Sequence, residues 1–507
     1  MSSNKAKTVM NAQQSVGNLQ IVARAGTGKT TTLVEALNAI YTGSPTIKPS
    51  PQQTDIISEC CQLASKYEKP KTLFVAFNTS IAKELNSRLE QKNIPAQAAT
   101  MHSTGLKLLR GSIRGYVRVD DRKAVKIFDE LLDPQKKNGG FLLGNLVRAF
   151  DLARIELCQS KQDLEQVLPT IVAEHGLATE VIDHIDLIDT ALKADSRIAK
   201  SGVIDFADML YLPEVFNVTP DKYDLVFVDE AQDLSKAQQA LVMRVGKSII
   251  TVGDDRQAIY GFAGADCNSM SRLREALNAR VLPLTVTRRC PKAVVALARQ
   301  IVPDIEALPD APEGTVRTID WEQLIPSVGN EDMILCRVNA PLVSLCFKLL
   351  RQGVRATIKG RNIGEGLISL IKKMKATTIP DLIRKVDEWY SKEEQAILNR
   401  KFPSESAIIN LNDKYECLMA FITEANSVDD VIRKIEAIFS DANTAGVTLS
   451  SVHRAKGLEA DRVFIVRPDL LPFPKAKEGW QFEQEMNLKY VAITRAKKEL
   501  IWVSGGK

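Results

Sequence analysis

Long apolar runs are missing from this chain. No stretch of 18 or more apolar residues occurs and no charged-then-apolar segment opens the sequence, so neither membrane insertion nor secretion is expected, and the protein is expected in the cytoplasm. Cysteine is sparse and unpatterned. The eight thiols, at positions 60, 61, 158, 267, 290, 336, 346 and 417, form no Cys-x-x-Cys pair and have no histidine at a zinc-ligand spacing. A structural metal site is therefore not expected, and the thiols read as small core residues in a reducing compartment. Internal repeats and low-complexity tracts are absent too. Charge of one sign is barely in excess, with 67 basic against 62 acidic residues and a formal net charge of +5. That balance permits nucleic-acid binding without arguing for it.

What is present is length and patterned apolar runs. At 507 residues the chain exceeds one compact core, and about 150 residues per domain suggests three or four units. Short β-rich runs occur at Leu19 to Ala23, Thr72 to Phe77, Asp224 to Val228 and Ser248 to Val252 in the first half. A second set occurs at Val281 to Leu284, Met333 to Cys336, Arg355 to Ile358, Val447 to Val452, Val463 to Val466 and Leu500 to Val503. Runs of this kind suit strands buried on both faces, hence parallel sheets covered by helices and two α/β units. Two stretches lack them and read as helical insertions, about 106 to 203 and about 366 to 443.

The chemistry starts at Ala25-Gly26-Thr27-Gly28-Lys29-Thr30-Thr31, directly behind the first run and ahead of a helical stretch. A buried strand that ends in glycines and opens a helix leaves backbone N–H groups converging at the positive end of a helix dipole, which is a phosphate cradle. Lys29 can reach the outer phosphates and Thr30 can ligate magnesium. Ala23 stands where the generic pattern has its first glycine.

The run ending at Val228 leads into Asp229-Glu230-Ala231-Gln232-Asp233. The C-terminal edge of a parallel sheet is where ligands bind. There Asp229 can share the magnesium with Thr30, and Glu230 can orient and deprotonate the attacking water. The alternative, helix capping by Asp229, explains one acid but not the pair. The next run leads into Gly253 to Phe262, where Gln257 can sense the γ-phosphate. Tyr260 and Phe262 offer either stacking faces for bases or ordinary core.

These blocks, in this order, resemble the UvrD/Rep-type group of superfamily one helicases. Phe77-Asn78-Thr79, Thr100-Met101-His102-Ser103, Ile204-Asp205-Phe206-Ala207-Asp208, Leu284 to Arg289 and Leu335-Cys336-Arg337 extend the match. Ser451-Val452-His453-Arg454-Ala455-Lys456-Gly457-Leu458-Glu459 and Glu485 to Ala496 complete it. The resemblance implies two RecA-like P-loop NTPase cores with parallel sheets, each carrying a helical insertion, and ATP with Mg2+ in the cleft between the cores. The expected boundaries are 1–105 with 204–280 for the first core, 106–203 for its insertion, 281–365 with 444–507 for the second core, and 366–443 for a reduced insertion.

The resemblance also implies roles. Lys29, Thr30, Asp229, Glu230 and Gln257 come from the first core; Arg289 and Arg495 act as arginine fingers from the second, and Glu459 approaches the ribose. Phe77, Asn78, His102, Tyr260, Phe262 and His453 meet single-stranded DNA or a single/double-strand junction, along which the motor moves 3′ to 5′ in DNA repair or replication. The alternative is an ATP-gated clamp on single-stranded DNA, or a protein-stripping translocase, with little unwinding. Backbone and stacking contacts do not by themselves reject a 2′-hydroxyl, so RNA stays open as a track.

Three positions depart from the family pattern. Arg288 replaces the adenine-stacking tyrosine, and a guanidinium can also stack on a purine. Ala263 stands where the family usually has arginine. Gln14, in the block Met10 to Gln14 that resembles the adenine-reading motif, lies closer to Lys29 than the family's usual spacing. No nuclease-like cluster follows the last motif, so a nuclease fusion is not expected.

Overall fold

The computed structural model describes residues 17–76, 78–132, 140–175, 177–259, 268–399, 405–439, 446–474, 476 and 479–505. The Met10 to Gln14 block, Phe77, Tyr260, Phe262 and Ala263 lie outside them. The chain divides into two units. The first comprises 1–168, 184–255 and 263–285; the second comprises 169–183, 256–262 and 286–507.

The first unit holds a six-stranded parallel sheet in the order Ala96–Thr100, Thr72–Ala76, Tyr223–Val228, Gly246–Gly253, Leu19–Ala23, Arg280–Leu284. Its inner strands are almost wholly buried because apolar side chains leave both faces. One face packs Leu33, Leu37, Ile56 and Leu85 against Ile21, Phe74 and Phe227. The other packs Leu241, Val242 and Leu273 against Val226, Val228 and Ile249. The second unit holds another six-stranded parallel sheet, ordered Thr315–Asp320, Ala496–Ser504, Ala460–Val466, Met333–Cys336, Val447–Ser451, Ala356–Ile358. Leu367, Leu382, Phe421 and Ile435, from the helical stretch between its halves, share one core with Ile334 and Leu449.

Three expectations change. Val281 to Leu284 is expected in the second α/β unit, yet Arg280–Leu284 pairs with Leu19–Ala23 in the first sheet. The resemblance places Gln257 with the first core, whereas 256–262 groups with the second unit, where Lys456 Nζ donates to the Gln257 carbonyl at 2.8 Å. Residues 169–183, expected within the first insertion, also group with the second unit. Among the described residues the cysteines are free; Cys60, Cys158, Cys290, Cys336, Cys346 and Cys417 are buried, in line with core thiols.

Two helical insertions follow from amphipathic periodicity. The first carries Lys123–Leu131, Gly140–Ile155, Lys161–His175 and Ile185–Lys200; the second carries Arg361–Met374, Ile379–Leu398, Glu405–Thr423 and Val428–Ile438. No helix among the described residues is long and apolar enough to cross a membrane.

Candidate active site

Three neighbouring strand ends build the site in the first unit. Leu19–Ala23 gives the phosphate loop, Gly246–Gly253 lies beside it, and Tyr223–Val228 comes next. Gly26 and Gly28 take φ values of 73° and 83°, a left-handed conformation that costs glycine little and other residues more. That turn ends at Gly28, which caps the helix Lys29–Thr42. Thr27, 1% exposed, donates from its hydroxyl to the Arg24 carbonyl at 2.9 Å and keeps the loop closed, and Ala25 is fully buried. Thr31, the third residue of the helix, faces solvent.

The expected partners meet. Lys29 Nζ lies 2.9 Å from Glu230 Oε1, and the Thr30 hydroxyl donates to the Asp229 carboxylate. Burial alone would lower the Lys29 pKa, but the carboxylates of Glu230, Asp254 and Asp229 outweigh it and hold the ammonium above its ordinary value. Burial and then the neighbouring Glu230 push the Asp229 carboxyl above the usual carboxylate range. Glu230 sits at φ 51° and turns its side chain back toward the loop. Hydroxyl and carboxylate oxygens in contact, beside a loop of left-handed glycines and an ammonium, fit a magnesium–nucleotide pair. Thr30 and Asp229 would hold the cation, and Lys29 with the loop N–H groups the phosphates.

In the second unit, Arg289 Nε pairs with Glu459 Oε2 at 2.6 Å, and its Nη1 points to the Thr494 carbonyl at 3.4 Å. Glu459, expected at the ribose, is thus the carboxylate that holds Arg289. Arg495 is 1% exposed and donates to the carbonyls of Val491 and Leu458 and to the Thr494 hydroxyl. Arg288 is exposed. His453 follows Val447–Ser451, and burial together with the Arg337 guanidinium brings its imidazole down to about 3. Arg337 itself is gripped by both oxygens of Glu485, with Nη2 at 2.6 Å from Oε1.

The expected nucleic-acid residues divide. Asn78 Oδ1 accepts from the Ile81 N–H at 2.9 Å and caps the helix Thr79–Gln91. His102 is half-buried, and its ring meets Phe206 edge-on with centroids 6.4 Å apart. Phe206 is 58% exposed, an aromatic that sequence reading quoted only as part of a motif. Sequence reading also gave no role to Gln232, Asp254 or Arg24, all buried among the acids of the site.

A parallel sheet ending in a phosphate cradle answered by an acid pair, together with a second parallel sheet of its own, defines a P-loop NTPase with two RecA-like α/β cores. Residues 3–278 match the UvrD/REP helicase N-terminal domain and residues 335–504 the UvrD-like helicase C-terminal domain. The chain belongs to the UvrD/Rep helicase family. Relatives include the ATP-dependent DNA helicase PcrA of Staphylococcus epidermidis, 22% identical over 98% of this chain and 83% of the relative. DNA helicase II of Rickettsia typhi is 22% identical over 96% of this chain and 89% of its own length. PcrA of Staphylococcus aureus is 22% identical over 97% and 82%.

Proposed function

We propose that this chain is an ATP-dependent DNA helicase that moves 3′ to 5′ on single-stranded DNA. The observation that carries the reading is the meeting of Lys29 with Glu230 and of Thr30 with Asp229 at neighbouring strand ends of a UvrD-family fold.

Lys29 leaves Glu230 for the phosphates as nucleotide binds, which frees the Glu230 carboxylate to orient water and take its proton. Thr30 and Asp229 would hold a magnesium ion, which would supply charge neutralisation at the phosphates. Arg289 and Arg495 from the second unit complete the site when the two cores close on the nucleotide, stabilising charge as the phosphoryl group departs. Arg289 has then to exchange Glu459 for phosphate oxygens. Exposed Phe206 beside His102 offers a stacking face for a base, a contact that tolerates any sequence.

The test is ATPase rate with single-stranded DNA, duplex and RNA across a salt series, alongside strand displacement on 3′-tailed and 5′-tailed duplexes. Stimulation by single strands that fades with salt, and unwinding of 3′-tailed duplexes, is the expected result. ATPase indifferent to nucleic acid would refute the reading. Stimulation without displacement of strands or bound protein would turn it into an ATP-gated clamp, and preference for 5′ tails would reverse the polarity.

A further inference from the structure

Arg24 lies inside the phosphate loop and is 7% exposed. A buried guanidinium is costly unless its charge is met and its donors are used. Its Nη1 reaches Asp255 Oδ1 at 2.6 Å, Asp254 Oδ1 at 3.3 Å and its neighbour's carbonyl, that of Ala23, at 3.2 Å. Both carboxylates stand just past the end of the adjacent strand Gly246–Gly253.

From there a chain of contacts returns to the catalytic pair. The Asp254 N–H donates to Gln232 Oε1 at 3.0 Å, and Gln232 Nε2 donates to Glu230 Oε2. Glu230 meets Lys29, five positions beyond Arg24 in the same loop. The result is a closed ring, Arg24 to Asp254 to Gln232 to Glu230 to Lys29 and back along the backbone, that passes through all three strand ends. With its oxygen taken by the Asp254 N–H, the Gln232 amide has one orientation left, with its NH2 toward Glu230. Gly253 leaves the space for this, because a Cβ there would stand 2.6 Å from Gln232 Oε1.

We propose that Arg24 is a positioning residue for ATP hydrolysis: by holding Asp254 and Asp255 it fixes Gln232, and through Gln232 the carboxylate of Glu230. The proposal rests on the reading of Lys29 and Glu230 as the hydrolytic pair. Lys29 is one of the groups that hold Glu230, and phosphate competes for it. Once it leaves, the Gln232 side of the ring keeps the carboxylate in place. Arg24 thus matters for turnover and little for nucleotide binding.

The experiment measures steady-state ATPase at saturating single-stranded DNA for Arg24→Ala, Arg24→Lys, Asp255→Asn and Lys29→Ala, with active sites counted by nucleotide-analogue binding and folding followed by thermal melting. Arg24→Ala is expected to lower kcat per active site about 10-fold or more while KM for ATP stays within about 3-fold, since small misplacements of a catalytic group act on the chemical step. Arg24→Lys, which keeps the charge, should recover part of the loss. A role confined to folding would lower the count of active sites and leave kcat per site unchanged. An Arg24→Ala kcat per site within about 2-fold of the parent, or equal losses in Arg24→Ala and Arg24→Lys, overturns the proposal. If Arg24→Ala does not fold, unchanged kcat in both Arg24→Lys and Asp255→Asn overturns it. Parental turnover in Lys29→Ala would instead overturn the reading of the ATP site itself.

Discussion

Two buried polar constellations in the first unit use the same residue types to opposite ends. Around Lys29, side chains of Lys29 and Glu230 keep 12% and 28% exposure, and their contact borders the phosphate cradle. Around Arg154 the cations are sealed. Its two terminal nitrogens bond Asp195, Asp205, Asp208 and Asp151, while Lys123 Nζ lies 2.8 Å from Asp195 and 2.7 Å from Asp208. Lys123 and Arg154 sit on two helices of the first insertion and Asp195 on a third, so this cluster joins the insertion to the Asp205-to-Asp208 turn that closes it.

Oxygen atoms of Asp195, Asp205 and Asp208 lie close enough together to suggest a cation site, yet ammonium and guanidinium already fill that role. The difference lies in access. A lysine that can exchange its carboxylate for an incoming anion suits binding; cations enclosed by four helical or turn carboxylates suit structure.

Substitutions break this contrast in opposite directions. Glu230→Gln should lower ATP turnover by about 10²- to 10⁴-fold, the usual worth of a general base, while analogue binding and urea stability stay near parental values. Rapid hydrolysis by that variant would remove Glu230 from its role. Arg154→Ala leaves buried carboxylates short of a partner and should cost about 3 to 5 kcal/mol in urea unfolding, the range for halving a buried ion pair. A loss under about 1 kcal/mol would show that the cluster is no anchor.

Smaller effects sharpen the boundary between the two regions. Phe206→Ala should weaken single-stranded DNA binding by about 1 to 3 kcal/mol with little change in stability, although its neighbours Asp205 and Asp208 belong to the sealed cluster. Equal losses in binding and stability would merge the two roles. The smallest effect is a pH slope. Burial, then Asp195, pushes the Asp208 carboxyl up to about 6 against an ordinary 3.8, so the folded state holds this proton more tightly than the unfolded chain. Its favourable contribution is complete below pH 3.8 and is lost as pH rises toward 6. Relative to Asp208→Asn, the parent protein should therefore be better placed at about pH 4.5 than at about pH 7 in urea melts; the reverse ordering would contradict a raised pKa.

Legibility in the sequence followed burial. Interior strands such as Leu19–Ala23, Tyr223–Val228 and Met333–Cys336 announce themselves as continuous apolar runs because both faces are covered. Within the two six-stranded sheets, the strands without such a run, Ala96–Thr100 and Thr315–Asp320, are sheet edges. One is built of small and polar residues, and the other is mostly exposed, so neither carries a buried-strand pattern. Within the site, Lys29, Thr30, Asp229 and Glu230 were legible because loop and acid pair are local motifs. Arg24 was not, since a single arginine in a loop says nothing about an acid 230 residues away. Glu459 as the partner of Arg289 was equally hidden, 170 positions along the chain.

Sequence by itself determined the phosphate cradle, the paired acids, the buried strands and the family, because turn chemistry and apolar periodicity act over a few neighbouring residues. Only the tertiary structure decided which strand end stands beside which. The order Tyr223–Val228, Gly246–Gly253, Leu19–Ala23 sets Asp254 between Arg24 and Gln232, and so turns separate motifs into one ring. Sheet order is chosen by the packing of whole faces, and that information is spread over the chain rather than written at any one position.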